Sequence, residues 1–153
     1  MQKKIFTYLL LLFLSSCGYE AIYSEKNNTN NNFSINELNL SGDRNINLKI
    51  KQKMNNYTLI EKDKNFILKI SSSSEKTTVA KNTSGDSTIF KITITMNIEI
   101  IMKDNYINKM QIVENFSYNN ILDKFDLKKY EREIKRNLTE TATNKLISKL
   151  SSI

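Results

Sequence analysis

The clearest pattern in the chain runs from Thr88 to Met102, where apolar and polar residues alternate. Six successive even positions are apolar: Phe90, Ile92, Ile94, Met96, Ile98 and Ile100. The odd positions between them carry lysine, threonine, asparagine and glutamate. A period of two predicts a strand with one buried and one solvated face. Each buried aliphatic side chain contributes about 1.5–3 kcal/mol, so this strand should supply a large part of the core.

A short turn at Lys103–Asn105 should be followed by a returning strand over Tyr106–Tyr118, which continues the alternation. Glu114 interrupts the apolar positions of this strand, which indicates either a sheet edge or a bulge. The large side chains that we expect to fill the core are Phe90, Met96, Phe116 and Leu138.

Two more strands are predicted earlier in the chain. The first covers Phe33–Leu40 and ends in a turn at Ser41–Asp43. The second covers Asn65–Ser74, where Phe66, Leu68 and Ile70 share one face before a run of serines. A turn at Gly85–Asp86 then leads into the alternating strand.

The residues after Asp43 fit two structures. Four apolar residues are spaced by four, four and three positions, as on one face of a helix: Ile46, Ile50, Met54 and Tyr57. Ile46, Leu48 and Ile50 also alternate as in a strand. We favour the helix, because Asp43 can cap it and the residues around Lys53 have good helix propensity.

A change of period at Asp126 predicts a long terminal helix of about 24 residues with Asp126 as its N-cap. Its apolar stripe steps by three or four: Leu127, Tyr130, Ile134, Leu138, Ala142, Leu146 and Leu150. Packing against the sheet explains this stripe better than insertion into a membrane surface. The order strand, helix, three strands, helix predicts an α+β fold, a two-layer α/β sandwich. In it, a four-stranded, mostly antiparallel sheet carries two helices on one face.

The amino-terminal residues have the three parts of a secretory signal: basic Lys3 and Lys4, apolar Ile5–Leu14, and small Ser15 and Ser16. The apolar run is about ten residues, whereas a membrane span needs about 20. We therefore predict a cleaved signal peptide over residues 1–16. A buried amino-terminal helix is the alternative, but it leaves the basic start unexplained.

The only cysteine of the chain, Cys17, follows this segment directly. Leu14-Ser15-Ser16-Cys17 resembles a bacterial lipobox, which predicts lipidation of Cys17 and a membrane anchor of several acyl chains. A lone free thiol is the alternative. Residues 17–32 are poor in apolar side chains and predict a flexible tether to a single domain over residues 33–153. Gly18 stands where an inner-membrane retention signal would have aspartate, so we expect the outer membrane, with the domain facing the periplasm.

The formal net charge of +7 favours an anionic partner, although nothing indicates nucleic acid. The chain has no histidine, which excludes Ser-His and Cys-His nucleophilic pairs and zinc sites of the His-Cys type. We expect no cofactor, no metal and no enzymatic activity. A hydrolase using carboxylates such as Asp123 and Asp126 is a weak alternative, since both are more simply read as solvated charges.

With these elements in place, the chain resembles the LPS-assembly lipoproteins (LptE-like) of Gram-negative outer membranes. "SSCGYEAIY" is similar to the family's Cys-Gly-aromatic-x-Pro-Leu-Tyr opening, with Ala21 in the proline position. "SINELNLSGDRNINLKIKQKM" is similar to its first strand and the start of its first helix, with Arg44 at the family's arginine. "YEREIKRNLTETATNKLISKL" is similar to its final helix.

The resemblance implies a lipoprotein that plugs the outer-membrane β-barrel of the lipopolysaccharide-transport machinery. Such a protein helps to assemble the barrel and assists lipopolysaccharide delivery to the outer leaflet. Three lysines are candidate lipopolysaccharide contacts: Lys76, Lys81 and Lys103. The alternative is a stand-alone, periplasm-facing lipoprotein that binds a lipid or another envelope component.

Overall fold

The computed structural model describes residues 32–58, 61–102 and 107–153. The signal segment, Cys17, the predicted tether up to residue 31 and Lys103 lie outside the described residues. The described elements follow the predicted order: β1 (Phe33–Gly42), α1 (Arg44–Met54), a 3₁₀ turn (Asn55–Tyr57), β2 (Lys64–Lys81), β3 (Ser87–Ile101), β4 (Ile107–Asn119) and α2 (Lys124–Ser152).

The four strands form one sheet in the order β1-β2-β3-β4. β1 and β2 are parallel and are joined through α1, because parallel neighbours need a crossover connection. The β2–β3 and β3–β4 pairs are antiparallel. The predicted α+β fold, with a mostly antiparallel four-stranded sheet and two helices, is confirmed. β1 contains a bulge between Ile35 and Glu37, whereas the register between β3 and β4 is continuous.

The core lies between one face of the sheet and both helices. The even positions of β3 from Ile92 to Ile100 are at most 1% exposed, as their alternation predicted. Phe66, Leu68 and Ile70 of β2 extend the same face. The helices contribute Ile46, Ile50 and Met54 from α1 and Ile134, Ala142, Leu146 and Leu150 from α2. In the described part of the chain, the odd positions of β3 and β4 form a face that carries no helix.

The junction between β1 and α1 explains why the residues after Asp43 are helical rather than extended. The Asp43 carboxylate accepts hydrogen bonds from the backbone N–H groups of Asn45 and Ile46, at 2.8 and 3.2 Å. Gly42 has a φ of +93°, which turns the chain from strand to helix at no steric cost. Its missing side chain also leaves room for the carbonyl of Ser72, which accepts from Asp43 N–H at 3.0 Å. The helix prediction is confirmed, although Tyr57 lies in the 3₁₀ turn, where its ring stacks on Phe33.

The predicted start of the last helix is wrong. α2 begins at Lys124, and its N-cap is Asp123, three residues before Asp126. The Asp123 carboxylate accepts from the N–H groups of Phe125 and Asp126 at 2.7 and 2.9 Å. Asp123 has extended backbone angles, as an N-cap requires, whereas Asp126 lies in the first turn. α2 therefore has 29 residues, or about 43 Å at 1.5 Å per residue.

Two further expectations need correction, and the alternatives left open for Glu114 are decided. β2 extends to Lys81 rather than ending at Ser74, because its polar second half pairs with β3 along the whole hairpin. Glu114 marks a sheet edge and not a bulge. Phe116 does not fill the core, since it is 46% exposed at that edge.

Candidate functional site

The structure places two of the three candidate lysines in different surroundings. Lys76 lies inside β2, opposite Ile92, on the face that the helices cover. It is not at the end of the sheet, because β2 is longer than predicted. Lys81 is exposed and is the last residue of β2, beside Ser87. Lys103 lies outside the described residues.

Lys76 belongs to a cluster of charged and aromatic side chains between the sheet and α2. Its Nζ lies 2.5 Å from Glu131 Oε1 and 3.9 Å from the centre of the Phe90 ring. Tyr118 donates its hydroxyl to the same carboxylate at 2.7 Å. The ring of Tyr118 in turn contacts Phe90 and Tyr130, at centroid distances of 5.9 and 5.8 Å. Lys76 thus already has an anionic and an aromatic partner.

The protonation of this cluster follows from its burial and hydrogen bonds. Burial raises the pKa of Tyr118, and donation to the Glu131 carboxylate raises it further. Burial alone would also raise the pKa of Glu131. The hydrogen bonds from Lys76 and Tyr118 outweigh it, so the pKa of Glu131 lies below its ordinary value. At neutral pH the cluster therefore holds a charged Glu131 and a neutral Tyr118.

Several apolar side chains near the end of β4 and the start of α2 are exposed, and we call this part of the molecule the aromatic end. Its members come from β4, the β4–α2 connection and the first turns of α2: Phe116, Leu122, Phe125 and Tyr130. Their exposed fractions range from 37% for Tyr130 to 101% for Leu122. Sequence reasoning missed this patch because it read Phe116 and Tyr130 as core. The available signal was that Leu122 and Phe125 are apolar but lie off the stripe of α2.

The face of the sheet without helices is polar. Two cross-strand rows of side chains follow from the register: Asn39, Lys69, Glu99 and Lys109 in one, and Ser41, Ser71, Asn97 and Gln111 in the other. They line a shallow groove of about 700 Å³. Lys109 Nζ lies 2.7 Å from Glu99 Oε1, and this hydrogen bond and charge lower the pKa of Glu99. The face therefore offers mostly neutral donors and acceptors.

A basic groove of about 320 Å³ separates α1 from α2. Its cationic lining consists of Lys49, Arg132, Lys135 and Arg136. Arg136 pairs with Glu133 at 3.1 Å, whereas in the described part of the chain neither Arg132 nor Lys135 forms an ion pair. Leu48, which is 50% exposed, adds an apolar surface. The groove can therefore hold an anionic group next to an apolar one.

The other residues that the sequence suggested for catalysis or lipidation have structural roles or lie outside the described residues. Asp123 uses its carboxylate to cap α2, as described above. Within residues 32–58, 61–102 and 107–153, histidine, cysteine and acidic side chains form no group that could hold a metal ion. In the same ranges, no helix has the length and apolar character needed to cross a bilayer. Cys17, the predicted lipidation site, lies outside them.

Comparison with known proteins identifies the fold through solved structures. No protein-family model and no curated protein matches the chain. The crystal structure of the rare lipoprotein B from Shewanella oneidensis is similar, with a TM-score of 0.60 at 14% identity, and the match covers 76% of this chain and 95% of that one. The solution structure of a lipoprotein B from Nitrosomonas europaea has a TM-score of 0.57 at 13% identity and covers 78% of this chain and 83% of that one.

A third structure extends the comparison to another bacterium. A minor lipoprotein from Acinetobacter baumannii has a TM-score of 0.55 at 12% identity, with coverage of 76% and 90%. The chain therefore has the fold of small bacterial lipoproteins, over nearly the whole length of those proteins.

Proposed function

We propose that this chain is an outer-membrane lipoprotein that plugs and helps to assemble the lipopolysaccharide-inserting β-barrel. The observation that carries the proposal is the fold, which covers 95% of a protein described as rare lipoprotein B. The predicted lipobox at Cys17 independently favours a lipid-anchored protein. The two agree, since a domain with the fold of small bacterial lipoproteins follows a predicted leader with a predicted lipidation motif.

The helix-free face of the sheet supports a seat inside a barrel. The lumen of a large outer-membrane barrel is polar, and this face presents serine, asparagine and glutamine side chains along a shallow groove. Such a face can form hydrogen bonds with a polar wall, and the charges of its Lys109 and Glu99 neutralise each other. Lys69, which lies opposite Glu99 on β2, is the remaining charge of these two rows.

Lipopolysaccharide is the expected substrate of the assembled pair. The excess of basic residues suits its phosphates, and exposed Lys81 remains a candidate contact. Lys76 is a weaker candidate than the sequence suggested, because its ammonium group is held by Glu131 and Phe90.

Depletion of the protein in its native organism tests the proposal. We expect lipopolysaccharide to accumulate short of the cell surface, as measured by loss of surface labelling. A tagged wild-type chain should restore labelling and co-purify a large barrel protein. A Cys17→Ser variant is the matched control for the anchor, and it should remain soluble and restore labelling poorly. Normal surface lipopolysaccharide after full depletion would refute the proposal.

A stand-alone lipoprotein that binds an anionic lipid is the second candidate. The basic groove between α1 and α2 favours it, because Arg132 and Lys135 line the groove and, in the described ranges, neither forms an ion pair there. Under this hypothesis the tagged wild-type chain would bind anionic lipid vesicles. A variant with both Arg132→Gln and Lys135→Gln would lose that binding. It would bring down no barrel protein.

A further inference from the structure

Among residues 32–58, 61–102 and 107–153, no strand covers one edge of the sheet. In these ranges β4 is the last strand in the order β1-β2-β3-β4 and pairs only with β3. Asn120 N–H donates to the carbonyl of Thr88 on β3 at 2.8 Å. In an antiparallel pair, alternate residues hydrogen-bond to the neighbouring strand, and the β3–β4 register is continuous. The backbone N–H and C=O groups of the even-numbered residues of β4 therefore point at β3. The N–H and C=O groups of odd-numbered residues from Lys109 to Ser117 therefore point away from the sheet.

This edge has few of the features that usually protect a free strand. The chain has no proline, and the β3–β4 register has no bulge. β4 carries two charged residues, and each is held in an ion pair: Lys109 with Glu99 at 2.7 Å, and Glu114 with Lys145 at 2.5 Å. The opposite edge differs, because β1 is shorter and contains a bulge.

The side chains along this edge are suited to an apolar neighbour. Val113 is 45% exposed on the helix-free side, and Phe116 is 46% exposed on the helix side. Beside Phe116, a recess of about 540 Å³ lies at the end of β4 and includes Ile121 and Tyr130. A strand added to β4 would cover Val113 and place alternate side chains against Phe116 and this recess.

We propose that the edge of β4 is a binding site for an extended segment of a partner polypeptide, which adds to the sheet as a fifth strand. Only an extended backbone can pair with a row of outward N–H and C=O groups at alternate residues. The segment would carry apolar side chains at alternate positions, to pack on Phe116. The site adjoins the polar face proposed for the barrel lumen, with which it shares Lys109 and Gln111, and it does not include the candidate lysine at the end of β2.

Amide hydrogen exchange on the full chain, purified in mild detergent as cells produce it, tests the site. The test ligand is a soluble synthetic nonapeptide of alternating valine and threonine, flanked by lysines. At about ten times its Kd, the peptide should slow exchange of the outward β4 amides about tenfold. The even-numbered amides already bond to β3 and should change little.

Two controls separate backbone pairing from adhesion to the apolar patch. The same peptide N-methylated at alternate residues keeps its side chains but cannot pair, and it should give no protection. In the protein, Asn115→Pro removes an outward N–H group without touching the β3 ladder and should abolish protection. The matched variant Asn115→Thr keeps the N–H group and should bind as the wild type does.

The outcomes decide the proposal in either direction. Protection confined to outward β4 amides and lost with the methylated peptide supports it. Unchanged exchange at a saturating peptide concentration overturns it. Protection that appears without peptide and rises with protein concentration also overturns it, because a second copy of the chain then occupies the edge. If Asn115→Pro does not fold, the methylated peptide on the wild-type protein still decides.

Discussion

Replacing Gly42 by alanine should destabilise the protein far more than the same change at Gly85. Both glycines have positive φ, +93° and +88°, so an alanine at either position pays a conformational cost of about 1–2 kcal/mol. The surroundings differ. A Cβ at Gly42 would lie 1.9 Å from the backbone oxygen of Ser72, whereas at Gly85 nothing lies within 4 Å.

The clash at Gly42 cannot be relieved by a side-chain rotation, because the opposing atom belongs to the backbone of β2. β1 must move away from β2 at the point where α1 begins. This movement breaks the bond from Asp43 N–H to Ser72 O, which contributes about 1 kcal/mol. It also disturbs the Ser72 hydroxyl, which lies 2.7 Å from Asn47 Oδ1. We therefore expect Gly42→Ala to cost about 3–5 kcal/mol.

Urea unfolding followed by circular dichroism measures both free energies of unfolding. The Gly85→Ala variant is the matched control, since it carries the same backbone strain without the clash. We expect the two variants to differ by at least about 2 kcal/mol at similar m-values. Equal losses of stability would refute the reasoning, because they would mean that the β1–α1 junction adjusts freely around an added methyl group.

The remaining predictions concern the charged groups. Glu131→Gln should cost about 1–2 kcal/mol at pH 7 by breaking the half-exposed pair with Lys76. Because the pKa of Glu131 is lowered in the folded protein, this carboxylate stabilises the fold at pH values above its ordinary pKa of 4.5, and the stabilisation is lost as the pH falls through the folded pKa. In that acidic range the urea midpoint of the wild type should therefore fall more steeply with pH than that of the variant. The pKa of Tyr118 is raised in the folded protein, so the free energy of unfolding should decline as the pH rises above 10. The Tyr118→Phe variant should lack that decline. If wild type and variant lose stability equally above pH 10, the hydrogen bond from Tyr118 to Glu131 does not have the proposed effect. Asp123→Ala should lower the free energy of unfolding by about 0.5–2 kcal/mol through loss of the α2 cap, whereas Asp126→Ala should lower it by less than about 0.5 kcal/mol. Thermal unfolding measures both variants. A larger loss for Asp126→Ala than for Asp123→Ala would mean that Asp126 is the cap.

The sequence predicted the fold where one physical signal dominated. The alternation of β3 identified its buried face residue by residue, because a strand in a two-layer fold must separate core from solvent. The spacing of Ile46, Ile50 and Met54 similarly identified the buried side of α1. In both elements, the buried apolar side chains that stabilise the structure are also the ones that make the hydrophobic pattern visible in the sequence.

The errors arose where backbone pairing or chain ends decide the structure. The second half of β2 is polar on both faces and is held by its ladder with β3, which leaves no hydrophobic pattern. Asp123 and Asp126 are equally good caps by residue type, and the extended backbone at Asp123 selects it. Phe116 has the right parity for the core but belongs to an edge strand beyond the cover of α2. The odd or even position of a residue in a strand predicts which face of the sheet its side chain is on. How deeply the side chain is buried depends on whether the strand lies at the centre or the edge of the sheet.

The surfaces proposed for binding were the least predictable from the sequence. The aromatic end combines Phe116 with Leu122 and Phe125, which belong to three consecutive pieces of structure with no common period. The basic groove brings Lys49 of α1 beside Arg132 of α2 through helix packing alone. Surfaces of this kind depend on how the elements pack, and local patterns do not encode that packing.

The parallel pairing of β1 has a mechanical consequence for a domain held by its amino-terminal side. A tension acting along β1 enters the sheet at Phe33 and is resisted by the bonds between β1 and β2, which lie across the direction of pull. These bonds would be loaded together in shear, from Phe33 opposite Lys64 to Gly42 opposite Ser72, and not opened one after another like a zip. A pull from the predicted amino-terminal tether would therefore act on the first strand of the domain in the direction that its pairing with β2 resists best.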